Sequence, residues 1–247
     1  MKRLFDFIFS FFALIVFSPI FLVVMFFVWI NDFSNPFYIA DRVGKDEKIF
    51  KMFKLRSMVV NADKTGVDST SNNDMRITRV GKFIRKFKMD EISQLINVLL
   101  GDMSLVGPRP NVKRETDLYT KTEKKLLKVK PGITDISSIV FSDEGEILID
   151  SVDPDIDYNQ LIRPGKGYLG LFYIENQSFF FDIRLIIITV ISIFNREFAL
   201  DSIVNLMKTK NASSFLIEIA QRKNKLIPSP PPGATKIVTS RDGKVDN

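Results

Sequence analysis

The chain has 247 residues, 45% hydrophobic and 26% charged, a balance that suits a folded domain carrying an anchor or a tail. It contains no cysteine and no histidine, which excludes disulfides, thiol nucleophiles, thiolate metal sites, Ser-His-Asp triads and ordinary zinc centres. The net charge of +6 is uneven, with 23 Lys/Arg against 14 Asp/Glu in residues 1–130 but 4 against 11 in residues 131–200, so the first half asks for an anionic partner: nucleic acid, anionic lipid or a phosphorylated substrate.

Residues 7–30 form an uncharged apolar run with Ser18-Pro19 near its middle. The run is long enough to cross a bilayer, for which ~20 apolar residues suffice. Pro19 removes a backbone donor where lipid offers no replacement. Lys2 and Arg3 precede the run, and Arg42, Lys45, Lys48, Lys51, Lys54 and Arg56 follow it. With cations on both flanks the positive-inside rule gives little direction. A plain span and a re-entrant hairpin turning at Ser18-Pro19 both remain open. A cleaved signal peptide fits poorly, because the run is long and no small-residue cleavage site follows.

Beyond the run, FYIA and KIFKMF around Gly44 predict short strands. Residues 59–75 read as a polar surface loop. Residues 76–88 carry a row of Arg76, Arg79, Lys82 and Arg85, a cationic face on a helix or turn. Ile92, Leu95, Ile96 and Leu99 predict a helix over 90–100, opened by Asp90 and Glu91 and closed by Gly101. Taken alone, Asp90 reads as an N-cap and Glu91 as a first-turn acid. In the next turn Arg109 stands between Pro108 and Pro110, a stiffened loop that could present its guanidinium to phosphate or carboxylate.

Residues 111–130 read as an exposed charged helix. Pro131-Gly132-Ile133-Thr134 is a break, followed by the β-branched patch ISSIV. Residues 143–157 read as an acidic loop with a short helix, and the aromatic stretch 168–181 as core or membrane interface. Residues 185–194 form an apolar helix too short to span. From about 226 the Pro-rich, polar composition predicts an extended tail. Without Cys or His, any catalysis falls to Asp, Glu, Lys, Arg, Tyr, Ser or Thr, and any metal is a hard ion held by oxygen, with Mg²⁺ first.

The succession Lys2-Arg3-Leu4-Phe5-Asp6, Ser18-Pro19, Arg42-Val43-Gly44-Lys45, Phe53 to Met58, Arg76-Ile77-Thr78, Gly81 to Lys86, Met89 to Val98, Gly101 to Pro110 and Pro131 to Thr134 resembles the bacterial sugar transferases. These are monotopic phosphoglycosyl transferases acting on polyprenol phosphate, the initiating enzymes of glycan assembly. The likeness covers roughly residues 1–200. Asp157-Tyr158-Asn159, Pro164-Gly165-Lys166, Tyr173 to Ser178 and Asp182-Ile183 resemble one branch of the family. One departure follows Thr134: where the family usually continues Gly-Trp-Ala-Gln-Val and a Gly-Arg, this chain has Asp135-Ile136-Ser137-Ser138-Ile139. That arginine's role is absent or falls elsewhere, with Arg163 or Lys166 as candidates.

The resemblance implies a mostly helical α/β fold at a membrane. A re-entrant membrane helix would occupy residues 1–36, and a catalytic domain with amphipathic interfacial helices residues 37–200. A C-terminal extension would occupy residues 201–247. It implies transfer of a sugar-1-phosphate, an N-acetylated amino sugar before galactose or glucose, from a UDP-sugar to undecaprenyl phosphate, releasing UMP. Asp90 would be the covalent nucleophile, Glu91 would handle metal or proton, and both carboxylates would be ligands for Mg²⁺. Lys54, Arg56, Arg85 and Arg109 would be the phosphate-binding cations. The setting would be the cytoplasmic face of the bacterial inner membrane, with downstream glycosyltransferases as partners. Two other readings compete: a membrane scaffold that has lost turnover, and a nucleic-acid binder using the basic segment 76–88. The intact Asp90-Glu91 pair speaks against the first, and the lack of a recognition fold or stacking surface near that segment against the second.

Overall fold

The computed structural model describes residues 1–62 and 73–241. The polar loop read at 59–75 thus lies largely outside the described residues. The chain opens with α1 (Lys2–Asp32), a single helix that contains Pro19. The helix runs through the expected interruption at Ser18-Pro19 as one element. The missing Pro19 N–H would have bonded the Ile15 carbonyl, and the Ser18 hydroxyl donates to that carbonyl instead at 2.7 Å. The dipeptide therefore supplies its own replacement partner.

The strands β1 (Phe37–Val43) and β2 (Ile49–Leu55) form the expected antiparallel hairpin. Next come α2 (Arg79–Lys86), a 3-10 turn at Met89–Glu91 and α3 (Gln94–Leu100), which ends on left-handed Gly101. The short strand β3 (Ser104–Val106) precedes α4 (Lys113–Thr116) and a 3-10 stretch at Glu123–Lys128. The exposed helix read over 111–130 is thus two short turns, and Glu123 faces inward. The strand β4 (Gly132–Thr134) pairs in parallel with β3. A Cβ on Gly132 would stand 2.0 Å from the Gly107 backbone nitrogen, so only glycine permits this approach.

The β-branched patch forms α5 (Ile136–Val140). Asp135 and Ser138 close a capping box at its start. The acidic stretch holds α6 (Glu144–Ile147) and α7 (Pro154–Asp157), and a π-helical turn, Tyr158–Ile162, leads into α8 (Arg163–Asn176). The chain continues through α9 (Phe179–Phe194), α10 (Arg196–Lys208) and α11 (Ser214–Gln221).

One apolar core runs from α3 and β3 through α5, α8, α9 and α10. A second, smaller cluster packs Phe21, Val24 and Val28 of α1 against Leu55, Ile84 and Met89. Both ends of α1 are therefore tied to the same body. At one end Arg3 donates to the carbonyls of Val98 and Leu99, and Asp6 accepts from Ser104 and the Leu105 amide. Lys2 pairs with Asp182, whose other oxygen accepts from the Tyr173 hydroxyl. At the other end Asp32 takes both terminal nitrogens of Arg56. One face of α1 is bare: Phe12, Val16, Leu22, Phe26 and Phe27 are exposed. On α9, Phe180, Ile187, Val190 and Phe194 are exposed in the same way.

The expected division at residue 200 falls inside α10, whose Ile203 and Met207 are fully buried in the core. The Pro-rich segment is also docked. Pro231, Pro232 and Val238 are buried. The Thr120 hydroxyl donates to the Pro232 carbonyl, the Ser229 amide to the Gln160 carbonyl, and the Gln160 side chain to the Val238 carbonyl at 2.6 Å. Removing the chain after Lys225 is expected to lower the thermal midpoint by several degrees, since ~1 kcal/mol shifts a chain of this size by about 2–4 °C. Scanning calorimetry reads the change; an unaltered midpoint would show that this docking adds nothing.

Candidate active site

The site begins with how β2 is held. Its outer edge lacks a strand partner, and α3 supplies one from side chains. The buried Asn97 side chain accepts from the Phe53 amide at 2.9 Å and donates to the Lys51 carbonyl at 2.7 Å. Buried Ser93 shares its hydroxyl between the Phe53 and Asp90 carbonyls. These bonds fix Lys54 of β2 against the 3-10 turn. Lys88 enters that turn in the left-handed region, at φ 52°, a conformation that costs a non-glycine residue roughly 1 kcal/mol.

The result is a buried ion pair. Asp90 is 5% exposed and takes Lys54 Nζ at 2.8 Å. Asp90 does not cap α3, because the preceding 3-10 turn runs straight into the helix; its side chain is committed to Lys54 instead. Burial pushes the Asp90 carboxyl up, but Lys54, Arg109 and Arg85 outweigh burial and leave it below the usual carboxylate range. An ionised carboxylate is the form that attacks phosphorus.

Glu91, next in sequence, accepts from Arg109 at 3.2 Å. Arg109 is exposed between buried Pro108 and Pro110, the stiff presentation that its flanking prolines predict. Its head reaches solvent while the protein packed around it partly desolvates the charge, and Glu91, Glu144 and Asp90 outweigh that and hold it firmly protonated. Arg85 donates to Ser57 at 3.1 Å and lies within the field of Asp90. Arg56 departs from expectation. It is 9% exposed and clamps Asp32 at the end of α1, so its guanidinium is spent on structure rather than on a substrate phosphate.

A cleft extends from Arg109 past Tyr119, Asp135, Ser137, Tyr158 and Lys166. Asp90 does not line it; Arg109 is the link. Lys166 in its wall pairs with Glu144, and the charges of Arg109 and Lys54 also act on that glutamate. Arg163 also borders the cleft, but buried Glu123 takes its Nε and one terminal nitrogen at 2.9 and 2.7 Å, and Asn159 takes the other terminal nitrogen at 3.0 Å. Of the two substitutes for the missing family arginine, Lys166 is therefore the one placed to meet a ligand. The positioning pair Ser93 and Asn97 had a readable signal, two polar residues four apart on the apolar side of a helix. Glu144 had none, because its partners are distant in sequence.

Among the described residues no cluster of three potential metal-ligating side chains is gathered. Mg²⁺ nevertheless settles for one or two carboxylates, with substrate phosphates and water completing its shell. Glu91, with one oxygen on Arg109, and neighbouring Asp90 fit that donor set.

The family model for the bacterial sugar transferases matches residues 1–196. The chain belongs to that family. It is 34% identical over 212 residues to the undecaprenyl-phosphate galactose phosphotransferase of Salmonella typhimurium, covering 80% of this chain and 41% of that protein. It is 31% identical over 192 residues to the UDP-N-acetylgalactosamine-undecaprenyl-phosphate N-acetylgalactosaminephosphotransferase of Aeromonas hydrophila, covering 76% and 42%. A third relative is the uncharacterized sugar transferase EpsL of Bacillus subtilis, 35% identical over 190 residues, covering 77% and 85%. The chain thus spans about two fifths of the two longer relatives and most of the shorter one.

Replacing Lys54 by Met is expected to move the acid limb of the pH–rate profile upward. Lys54 depresses the Asp90 pKa and burial raises it, so loss of the cation leaves burial less opposed. In the native protein the pair stabilises the fold above the unfolded carboxyl pKa of ~3.9 and is lost only as pH falls through the depressed folded value. An unshifted acid limb in the variant would mean that Lys54 does not set the charge on Asp90.

Proposed function

We propose that this protein transfers a sugar-1-phosphate from a UDP-sugar to undecaprenyl phosphate at a membrane surface, releasing UMP. One observation carries the reading most: a buried carboxylate, held ionised by Lys54, sits beside a Glu91–Arg109 pair in a chain of this family. In the first step an Asp90 oxygen attacks the β-phosphorus and the bond from that phosphorus to the bridging oxygen breaks. UMP leaves with that oxygen, and the sugar phosphate is esterified to Asp90. In the second step a phosphate oxygen of the lipid attacks the same phosphorus, and the aspartyl bond breaks to restore the carboxylate. Splitting the transfer this way spares two anionic substrates a direct encounter.

Arg109, Lys54 and Arg85 neutralise phosphate charge during both steps, and Lys166 holds the nucleotide-sugar side of the cleft. Mg²⁺, held by Glu91 with Asp90, would supply Lewis-acid neutralisation of the diphosphate. An N-acetylated amino sugar is the first choice of substrate, and galactose or glucose the second.

The two ends of α1 support a re-entrant topology. A straight 31-residue helix is about 46 Å long, and crossing the bilayer would part its ends by some 30 Å of hydrocarbon. Lys2, Arg3 and Asp6 at one end and Asp32 at the other hold one and the same body, which supports a helix that enters and leaves a single leaflet. The domain would lie on the cytoplasmic face of the inner membrane, where it meets nucleotide sugars.

The test is UMP release by the purified protein with undecaprenyl phosphate, Mg²⁺ and a panel of UDP-sugars. Release with one or a few sugars is the expected result. A folded protein that releases no UMP across the panel would overturn the reading in favour of a non-catalytic scaffold.

A further inference from the structure

We infer that a second anion site, apart from Asp90, lies under the first turn of α1 and holds the phosphate group of a membrane lipid. A cavity of about 280 Å³ opens there. Five cations line it, Lys2, Arg3, Lys45, Lys128 and Lys130, against a single acid, Asp6. The acid is already engaged, with one oxygen on Ser104 and the other on the Leu105 amide. Lys2 is paired with Asp182, and Lys128 stands 3.5 Å from Asp46. Lys45 and Lys130 have no ion-pair partner among the described residues.

Cations that outnumber the acids around a concavity repel one another, and the repulsion falls when an anion enters. The effect is felt at Lys130, whose pKa is lowered by burial and by the nearby charges of Arg3 and Lys45. The ligand's chemistry follows from the donors. Ammonium groups converging from several elements suit a compact oxyanion such as phosphate. Its source follows from the surroundings. Leu4, Phe7 and Ile8 are exposed on the turns of α1 beside the cavity, so a phosphate seated there would have its acyl chains alongside apolar helix. A lipid held here would fix the depth of α1 by its polar end.

The protein is placed in nanodiscs of phosphatidylcholine, with or without phosphatidylglycerol, and lysine acetylation is followed by mass spectrometry. Phosphatidylglycerol is expected to slow acetylation of Lys45 and Lys130 on the order of tenfold, and of exposed Lys223 and Lys225 far less. Phosphatidylglycerol carried through detergent purification is expected to fall to background in the Lys45→Gln/Lys130→Gln variant and to persist in Lys223→Gln/Lys225→Gln. A third arm adds inorganic phosphate to phosphatidylcholine discs. Protection there equal to that by the lipid would keep the phosphate site but assign it to a soluble anion, overturning the lipid source. Equal slowing at all four lysines would reduce the effect to surface potential, and no slowing at Lys45 and Lys130 would remove the site; either overturns the inference. None of these readouts needs turnover, so the result stands whatever the outcome of the UMP assay.

Discussion

Replacing Asp90 by Asn is expected to lower kcat by roughly 10⁴-fold or more, the scale seen when a covalent nucleophile is removed. The substitution preserves shape and one hydrogen-bonding oxygen for Lys54 but removes the charge that attacks phosphorus. It leaves Lys54, itself only 21% exposed, facing a neutral amide, so stability should fall by about 1–3 kcal/mol without loss of the fold. Intact mass gives the sharper measurement. Native protein mixed with a UDP-sugar but no lipid acceptor should gain the mass of one phosphosugar, and the Asn variant should gain none. A mass gain that survives in the variant would place the covalent bond on another residue. Undiminished UMP release would remove the covalent route altogether. Arg109→Lys tests the neighbouring pair from the other side: it keeps the charge on Glu91 but loses the planar fork, so it should cost more in kcat than a charge count predicts.

The sequence carries the parts of this site whose signals are local. Alternating residues around Gly44 place the hairpin that holds Lys54, and the spacing of Ile92, Leu95, Ile96 and Leu99 places α3. The order of the motifs from Lys2 to Thr134 reveals the family. What the residues conceal is pairing over distance. Arg56 and Arg85 look equivalent as cations in a basic half-chain, yet Asp32 claims one and Ser57 the other. Pro19 reads as a break because composition does not show that the Ser18 hydroxyl can serve the orphaned carbonyl. The β-branched composition of ISSIV gives no helix signal, and the capping box formed by Asp135 and Ser138 starts a five-residue helix there. The Pro-rich segment reads as an extended tail because the surface that receives it, Thr120, Gln160 and Gly167, lies far away in the chain.

The same distinction between paired and available cations separates Arg163 from Lys166, and it can be measured. Arg163→Met is expected to destabilise the protein by about 3–5 kcal/mol, because it strands Glu123, 1% exposed, as an uncompensated buried charge. Glu123 also anchors the Thr120 amide, so the damage should spread to the turn on which Pro232 docks. Adding Glu123→Gln should recover much of the loss, since it removes the stranded charge while keeping an acceptor for that amide. Molecules that remain folded should keep a near-native KM for the nucleotide sugar. Lys166→Met should behave in the opposite way. Its partner Glu144 is about one-third exposed and can turn to water, so stability should change by about 1 kcal/mol or less. KM for the UDP-sugar should rise, because the cleft loses the cation that stands beside Tyr158 and Ser137. Denaturant titration and steady-state kinetics on the two variants separate the roles. A raised KM in Arg163→Met at full stability would reverse the assignment, making Arg163 the substitute for the family's arginine and Lys166 a structural partner of Glu144.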